Sequence, residues 1–461
     1  MRSFAHPLLL LILPVILTVG ACTRSLPENV RMPAVEYCRT PIRVEGLETA
    51  RIWPLMLSDG PSPQTNQSLA CWMRIEQAIS GHALRAGNRV DLLIDGPMTF
   101  EAVFDALRNA RHHIHLETYI FGDDSISRRM SQILIERHRA GVQVRMVIDG
   151  YGALQSDESV LDPMRKAGIQ MHIYHPFRPS EFLRPWRVNT RHHRKMLVVD
   201  GRIGFLGGIN ISSVYASSSS LGISDHAKGD REGWRDTHLR IQGPIVSDLQ
   251  SLFVTFWAGI HDEKPLSGQE YFPDLADQGT TLARLVHSMA EAEAYEVYRV
   301  YMTAFEFATE SIWITQGYFS PDQAFLDALK AAARRGVDVR LLLPGLTDSW
   351  ITISSSHKHY RELLEAGVQI FERQDVLQHA KTAVIDGVWS LVGSTNLDHR
   401  SFMHANEANL VIWGQAFADR MQAQFLLDQE KNTEITLSQW RERPLYRRLV
   451  ESMASLFDYW L

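Results

Sequence analysis

Apolar positions along this chain switch between two spacings, and the switches mark out a run of elements that occurs twice. His113 to Phe121, HIHLETYIF, alternates and is rich in β-formers, as a strand is. Ser125 to Gly141, SISRRMSQILIERHRAG, has helical spacing, with a serine at its start and a glycine at its end. Val142 to Asp149, VQVRMVID, is again a strand. A strand, helix, strand order requires parallel pairing with helices on the sheet faces. The second half repeats it, with a strand at Ser311 to Phe319, a helix at Ser320 to Gly336 and a strand at Val337 to Pro344. GVQVR at Gly141 and GVDVR at Gly336 lie 195 positions apart, while His193 and His379, like Asn210 and Asn396, lie 186 apart. Offsets this similar mean a duplicated unit. The predicted fold is α/β: two copies of a mixed β-sheet flanked by helices, over 89–265 and 266–461, packed about a pseudo-twofold axis. The polar, Pro- and Gly-broken stretch His261 to Gly279 is the expected join. Residues 22–88, which hold the turn-rich Ser58 to Ser68, read as an N-terminal adapter.

Composition narrows the class. With 461 residues and 45% hydrophobic content the chain can bury a large core. Its 47 Lys plus Arg against 53 Asp plus Glu leave a net charge of −6, so no basic field gathers a polyanion, and nucleic acid is not an expected partner. The first residues carry Arg2, an apolar run from Leu8 to Val19 and small residues before Cys22. The run is shorter than the roughly 20 residues of a membrane span, so residues 1–21 read as a secretory signal. VGAC resembles the lipobox of bacterial lipoproteins, which makes Cys22 the lipidation site; an uncleaved anchor is the alternative. Lipidation places the chain in the cell envelope, membrane-anchored and facing the periplasm, and Thr23 in place of an aspartate favours the outer membrane. Cys38 and Cys71 then remain, an even pair read as a disulfide, with two buried thiols as the alternative.

Inside each copy stands one polar pattern: His-x-Lys, four residues, Asp, then Gly-x-x-Asn. It comprises His193, Lys195, Asp200 and Asn210 in the first, and His379, Lys381, Asp386 and Asn396 in the second. With RKMLVVD read as a strand, His193 and Lys195 project from one face. Packing alone does not require a polar trio at matched spacing in both copies. If the copies meet, two ammonium groups and two asparagine amides can surround a phosphate, one imidazole can attack phosphorus and the other can protonate the leaving alkoxide. The lysines supply the positive charge, so neither a metal nor another cofactor is expected. Asp200 and Asp386 each precede a glycine after a strand and read as structural supports that cap turns. Ser212 and Ser394, beside the asparagines, read as turn hydroxyls, with a phosphate contact as the alternative.

These two motifs, and above all HAKTAVIDGVWSLVGSTNLDHRSFMHANEAN, resemble those of the phospholipase D superfamily, and within it the bacterial cardiolipin synthases. The likeness runs from about Asp91 to the C-terminus. It implies a pair of phospholipase D-type domains and a covalent phosphohistidine, with His193 as nucleophile and His379 as general acid and then base. It also implies an acid after each motif that bonds to the histidine of the opposite half: Glu407 for His193 and Asp236 for His379. The activity implied is phosphatidyl transfer from one phosphatidylglycerol to another, with phosphatidylethanolamine as an alternative donor. A phospholipase D-type hydrolase and a non-enzymatic envelope binder are the competing readings. Oligomeric state is not legible in the sequence.

Two stretches suit a membrane surface. Tyr174 to Val188 interleaves aromatics, Pro and Arg, and Leu445, Leu449, Met453, Leu456 and Trp460 share one face of an amphipathic C-terminal helix. Docking of that face on the chain's own core is the alternative. The Ser-rich Val214 to Trp234 is expected as a lid over the site or as a disordered loop.

Overall fold

The computed structural model describes residues 38–46, 51–57, 63–156, 158–176, 189–217, 233–290, 292, 294–347 and 349–454. The expected signal and Cys22, most of Tyr174 to Val188, the middle of Val214 to Trp234, and Leu456 with Trp460 lie outside the described residues. No helix among the described residues is long and apolar enough to cross a membrane.

In the first half the strands are β1 (Val44–Glu45), β2 (Leu84–Ile94), β3 (His113–Thr118), β4 (Gln143–Asp149), β5 (Gln170–Tyr174), β6 (Arg191–His192), β7 (Met196–Val199), β8 (Ile203–Gly207) and β9 (Thr237–Gln242). The second half supplies β10 (Thr281–Ser288), β11 (Ser311–Thr315), β12 (Phe319–Ser320), β13 (Asp338–Pro344), β14 (Gln369–Arg373), β15 (Thr382–Ile385), β16 (Trp389–Gly393), β17 (Leu397–Asp398), β18 (Ala405–Trp413) and β19 (Asn432–Ile435). The helices used below are α1 (Pro63–Ser80), α2 (Asp95–Arg108), α3 (Ser125–Arg139), α4 (Glu158–Ala167), α5 (Val246–His261), α6 (Glu296–Phe307), α7 (Gln323–Arg334), α8 (Trp350–Glu365), α9 (Gln415–Gln429) and α10 (Leu445–Ala454).

The duplication is visible strand by strand. In the first half β2, β9, β8, β7 and β3 pair antiparallel in that order, and β3, β4 and β5 pair parallel. In the second, β10, β18, β16, β15 and β11 repeat the antiparallel run, and β11, β13 and β14 the parallel one. The helices repeat too: α3 and α7 follow the first parallel strand of each half and are N-capped by Asp124 and Asp322, not by the serines at which the spacing begins.

The halves share one sheet and an apolar core. β2 pairs antiparallel with β10, and β6 pairs parallel with β18. One apolar cluster takes Val147, Val198 and Leu239 from the first half together with Val384, Leu410 and Ile412 from the second. This burial explains why the polar positions of β3 are not solvated. His113 and His115 lie under α5, where the Gln250 amide donates to His113 Nε2 at 3.1 Å and its oxygen accepts from His115 Nδ1 at 3.0 Å.

The segment ahead of the first repeat belongs to this body. β1 and the start of β2 at Leu84 lie inside the expected adapter and pair with each other; Gly87 and Asn88 interrupt the alternation that would reveal β2 as a strand. Within α1, Trp72 packs on Phe307, Trp389 and Trp413, and the buried Glu76 accepts from Arg284 Nη1 at 2.5 Å and from the indole nitrogens of Trp389 and Trp413. A disulfide joins Cys38 to Cys71, with Cα atoms 4.4 Å apart. At the other end α10 packs on α8, with Glu451 buried against Arg443 at 2.5 Å, while Leu445, Leu449 and Met453 stay exposed. Its apolar face is therefore turned away from the chain's own core.

Candidate active site

One reading of the motif needs correction. RKMLVVD is not one strand: β6 ends at His192, β7 begins at Met196, and His193 to Lys195 form the crossing between them. The break exists because β6 pairs with β18 of the other half, whereas β7 pairs with β3 and β8 of its own. The same happens in the second copy, where Gln378 bridges to Arg235 before β15 begins at Thr382. Each histidine is thus held at the seam. The His193 N–H donates to Asn406 O at 3.0 Å, and the His379 N–H donates to Arg235 O at 2.8 Å.

The residue after each of those carbonyls is an acid that reaches back. Glu407 Oε1 lies 2.8 Å from His193 Nδ1, and Asp236 Oδ2 lies 2.7 Å from His379 Nδ1. With Nδ1 committed to a carboxylate, Nε2 is the nitrogen each imidazole keeps for chemistry. Both histidines line one cavity of about 280 Å³ at the seam, bordered also by Tyr119, Arg191, Asn210, Tyr318, Asn396 and Arg400. Lys195 Nζ donates to His193 O at 2.7 Å, and Lys381 Nζ to His379 O. Both ammonium groups are thereby tied beside their imidazoles and are fully or nearly buried.

Burial sets the protonation states. It lowers His193 below the ordinary imidazole range despite Glu407, which favours the neutral ring near pH 7. Burial works to raise Glu407, yet the hydrogen bonds of His193 and Ser394 and the charge of Lys195 bring it below the usual carboxylate range. Desolvation pushes Asp236 up to about 6 and Lys195 down to about 7. An anionic phosphate in the cavity would favour the charged form of that lysine.

The remaining expected residues divide into two groups. Asn210 and Asn396 both border the cavity, but Asn210 is held from within: its oxygen accepts from the Ile120 N–H at 3.1 Å and its amide donates to Tyr215 Oη at 3.1 Å. Asn396 Oδ1 is buried with no hydrogen-bond partner among the described residues. Asp200 and Asp386 stand away from it at left-handed φ of 54° and 49°. Rather than capping their own turns, they pin the chain entering the first parallel strand of each half. Asp200 accepts from the backbone of Arg111, His112 and His113 at 2.8–3.0 Å, and Asp386 from Thr309, Glu310 and Ser311 at 2.8–2.9 Å.

The Ser394 Oγ accepts from the Ala408 N–H and donates to Glu407 Oε2, and so fixes the acid behind His193. Ser212 does serve its turn, accepting from the Val214 N–H. Sequence reasoning missed Tyr119 and Tyr318. They follow the first parallel strand of each half, pack edge-on to His193 and His379 at 5.0 and 5.9 Å, and face the two ammonium groups at 5.2 and 5.8 Å. A tyrosine soon after each of these strands, in LETYIF and ITQGYF, was the available signal. Asp398, at the cavity wall and raised by burial to about 7, left no such trace.

Comparison with known proteins agrees with this geometry. Residues 103–219 and 301–428 match the family described as cardiolipin synthase, PLD-like domain. A cardiolipin synthase of Geobacillus thermodenitrificans is 34% identical over 84% of this chain and 75% of its own length. Cardiolipin synthase A of Pseudomonas fluorescens is 35% identical over 81% of this chain and 75% of its own. Among solved structures, the phosphatidylserine synthase of Haemophilus influenzae Rd KW20 superposes with a TM-score of 0.63, covering 81% of this chain and 95% of that one, at 13% identity, a likeness of fold. With two phospholipase D-like repeats matched and relatives of this identity over most of its length, the chain belongs to the cardiolipin synthase family of the phospholipase D superfamily.

Proposed function

We propose that this phosphatidyltransferase joins two phosphatidylglycerol molecules into cardiolipin and releases glycerol. The observation that carries the reading is the single cavity bordered by two histidines from opposite halves, each bonded to the other half's acid. His193 Nε2 attacks phosphorus, the bond from phosphorus to the glycerol oxygen breaks, and His379 gives its proton to that oxygen. The second phosphatidylglycerol then enters. Its terminal hydroxyl loses a proton to His379 and attacks phosphorus, the phosphorus–nitrogen bond breaks, and His193 is restored. Lys195 and Lys381 offset the charge that develops on the phosphoryl oxygens in a site with little water to screen it.

The place of work is the bacterial cell envelope, where an acyl-modified Cys22 would tether the chain with its site toward the periplasm. The support for that placement is the N-terminal sequence alone. The test of the reaction is incubation of purified protein with glycerol-labelled phosphatidylglycerol. Cardiolipin and free glycerol in equal amounts support transfer; phosphatidic acid in place of cardiolipin overturns it in favour of hydrolysis.

A further inference from the structure

Resting on that reading, we infer that the mouth of the cavity is a bilayer-docking rim, built from the matching turns after β4 and β13 and assisted by the turn at Val214. The substrate's own size makes the argument. A cavity of about 280 Å³ lies just below the roughly 300–1,000 Å³ that holds a drug-sized ligand. It has room for a phosphoglycerol head and none for two acyl chains. A phospholipid whose phosphorus reaches His193 must leave its chains outside, and in water chains stay in the bilayer. The mouth must then lie against the membrane.

The residues at the mouth fit this requirement. Tyr151 borders the cavity, and Leu154, in the same turn, is 63% exposed. Across the dyad Leu346 follows β13 as Tyr151 follows β4, each two residues past the strand's end. Trp350 begins α8 at 65% exposure, between Ser349 and Thr352, which both border the cavity. Val214, exposed, precedes Tyr215, whose hydroxyl lies 3.3 Å from His379 Nδ1. Both repeats therefore place an exposed apolar side chain at the same point past their second parallel strand. Apolar side chains exposed around a ligand cavity mark a lipid or protein contact. Here the rim is continuous with a site whose substrate is a membrane lipid, so the bilayer is the occupant. Aromatic and aliphatic side chains of this kind suit the depth of the headgroups.

The experiment compares two presentations of one substrate. The double variant Leu154→Ser, Trp350→Ser alters exposed positions only, and its melting temperature checks that the fold is kept. Rates are measured on phosphatidylglycerol in vesicles and on a short-chain phosphatidylglycerol below its micelle threshold, with sedimentation on the same vesicles. We expect kcat/KM on vesicles to fall at least tenfold, vesicle binding to fall with it, and the monomeric substrate to react within twofold of wild type. Equal rates on vesicles, or equal losses on both substrates, would overturn the rim and point to a protein contact or a structural role. Wild-type protein that turns over neither substrate would instead overturn the proposed reaction.

Discussion

Replacing Glu407 by Gln isolates the bond that crosses the dyad. The acid is wholly buried, sits 2.8 Å from His193 Nδ1 and is held from behind by Ser394, so the amide can occupy the same space. What disappears is the negative charge facing an imidazole that becomes positive as it bonds to phosphorus. A hydrogen bond to a charged group contributes about 1.5–3 kcal/mol, which corresponds to roughly 10- to 150-fold in rate. The loss is larger if the amide nitrogen turns toward Nδ1, because the proton then moves to Nε2 and blocks attack. A wrong tautomer of this kind costs on the order of 10⁴ in other histidine-dependent enzymes. The expected result is a kcat lower by about 10 to 10⁴ with a nearly unchanged melting temperature, read from cardiolipin formed per enzyme. A kcat within threefold of wild type in a folded variant would show that the charge of Glu407 is not needed behind His193.

The pH profile of kcat/KM should be a narrow bell. Asp236 must be ionised to hold His379, so activity falls as pH drops through about 6. Lys195 must be protonated to face phosphate, so activity also falls as pH rises through about 7. A flat profile from pH 5 to 9 would contradict both assignments. Asp200→Ala and Asp386→Ala should each unfold at lower urea, by about 2–3 kcal/mol from three backbone donors left without their carboxylate, and lose activity only as far as they unfold. Reducing the Cys38–Cys71 bond, which spans 33 positions, should lower stability by about 3–4 kcal/mol, measured by melting with and without reductant.

The sequence disclosed the site where it repeated itself and concealed it where it did not. His193, Lys195 and Asn210 were legible because the same trio returns 186 positions later. Glu407 lies 214 positions from the histidine it serves, and no local spacing relates the two. Only family resemblance brought it forward. The break between β6 and β7 was hidden because four apolar residues after Lys195 continue a strand's composition, while the pairing of β6 is decided by a strand of the other half. Tyr119 and Tyr318 passed as ordinary β-formers, since aromatic residues serve sheets as readily as sites. The polar face of β3 was equally misleading: Glu117, His113 and His115 are buried because α5 and the second half cover what would be solvent in a single repeat.

The proposed reaction requires both imidazoles to work on one phosphorus atom, with His193 alone bonded to it. The direct measurement is an alkaline quench of wild-type protein during turnover of phosphatidylglycerol labelled at phosphorus, followed by digestion and location of the label. The account predicts at most one phosphoryl group per chain, on the peptide that contains His193, and none when His193 is replaced by alanine. Label on His379, or on both histidines of the same chain, would contradict it.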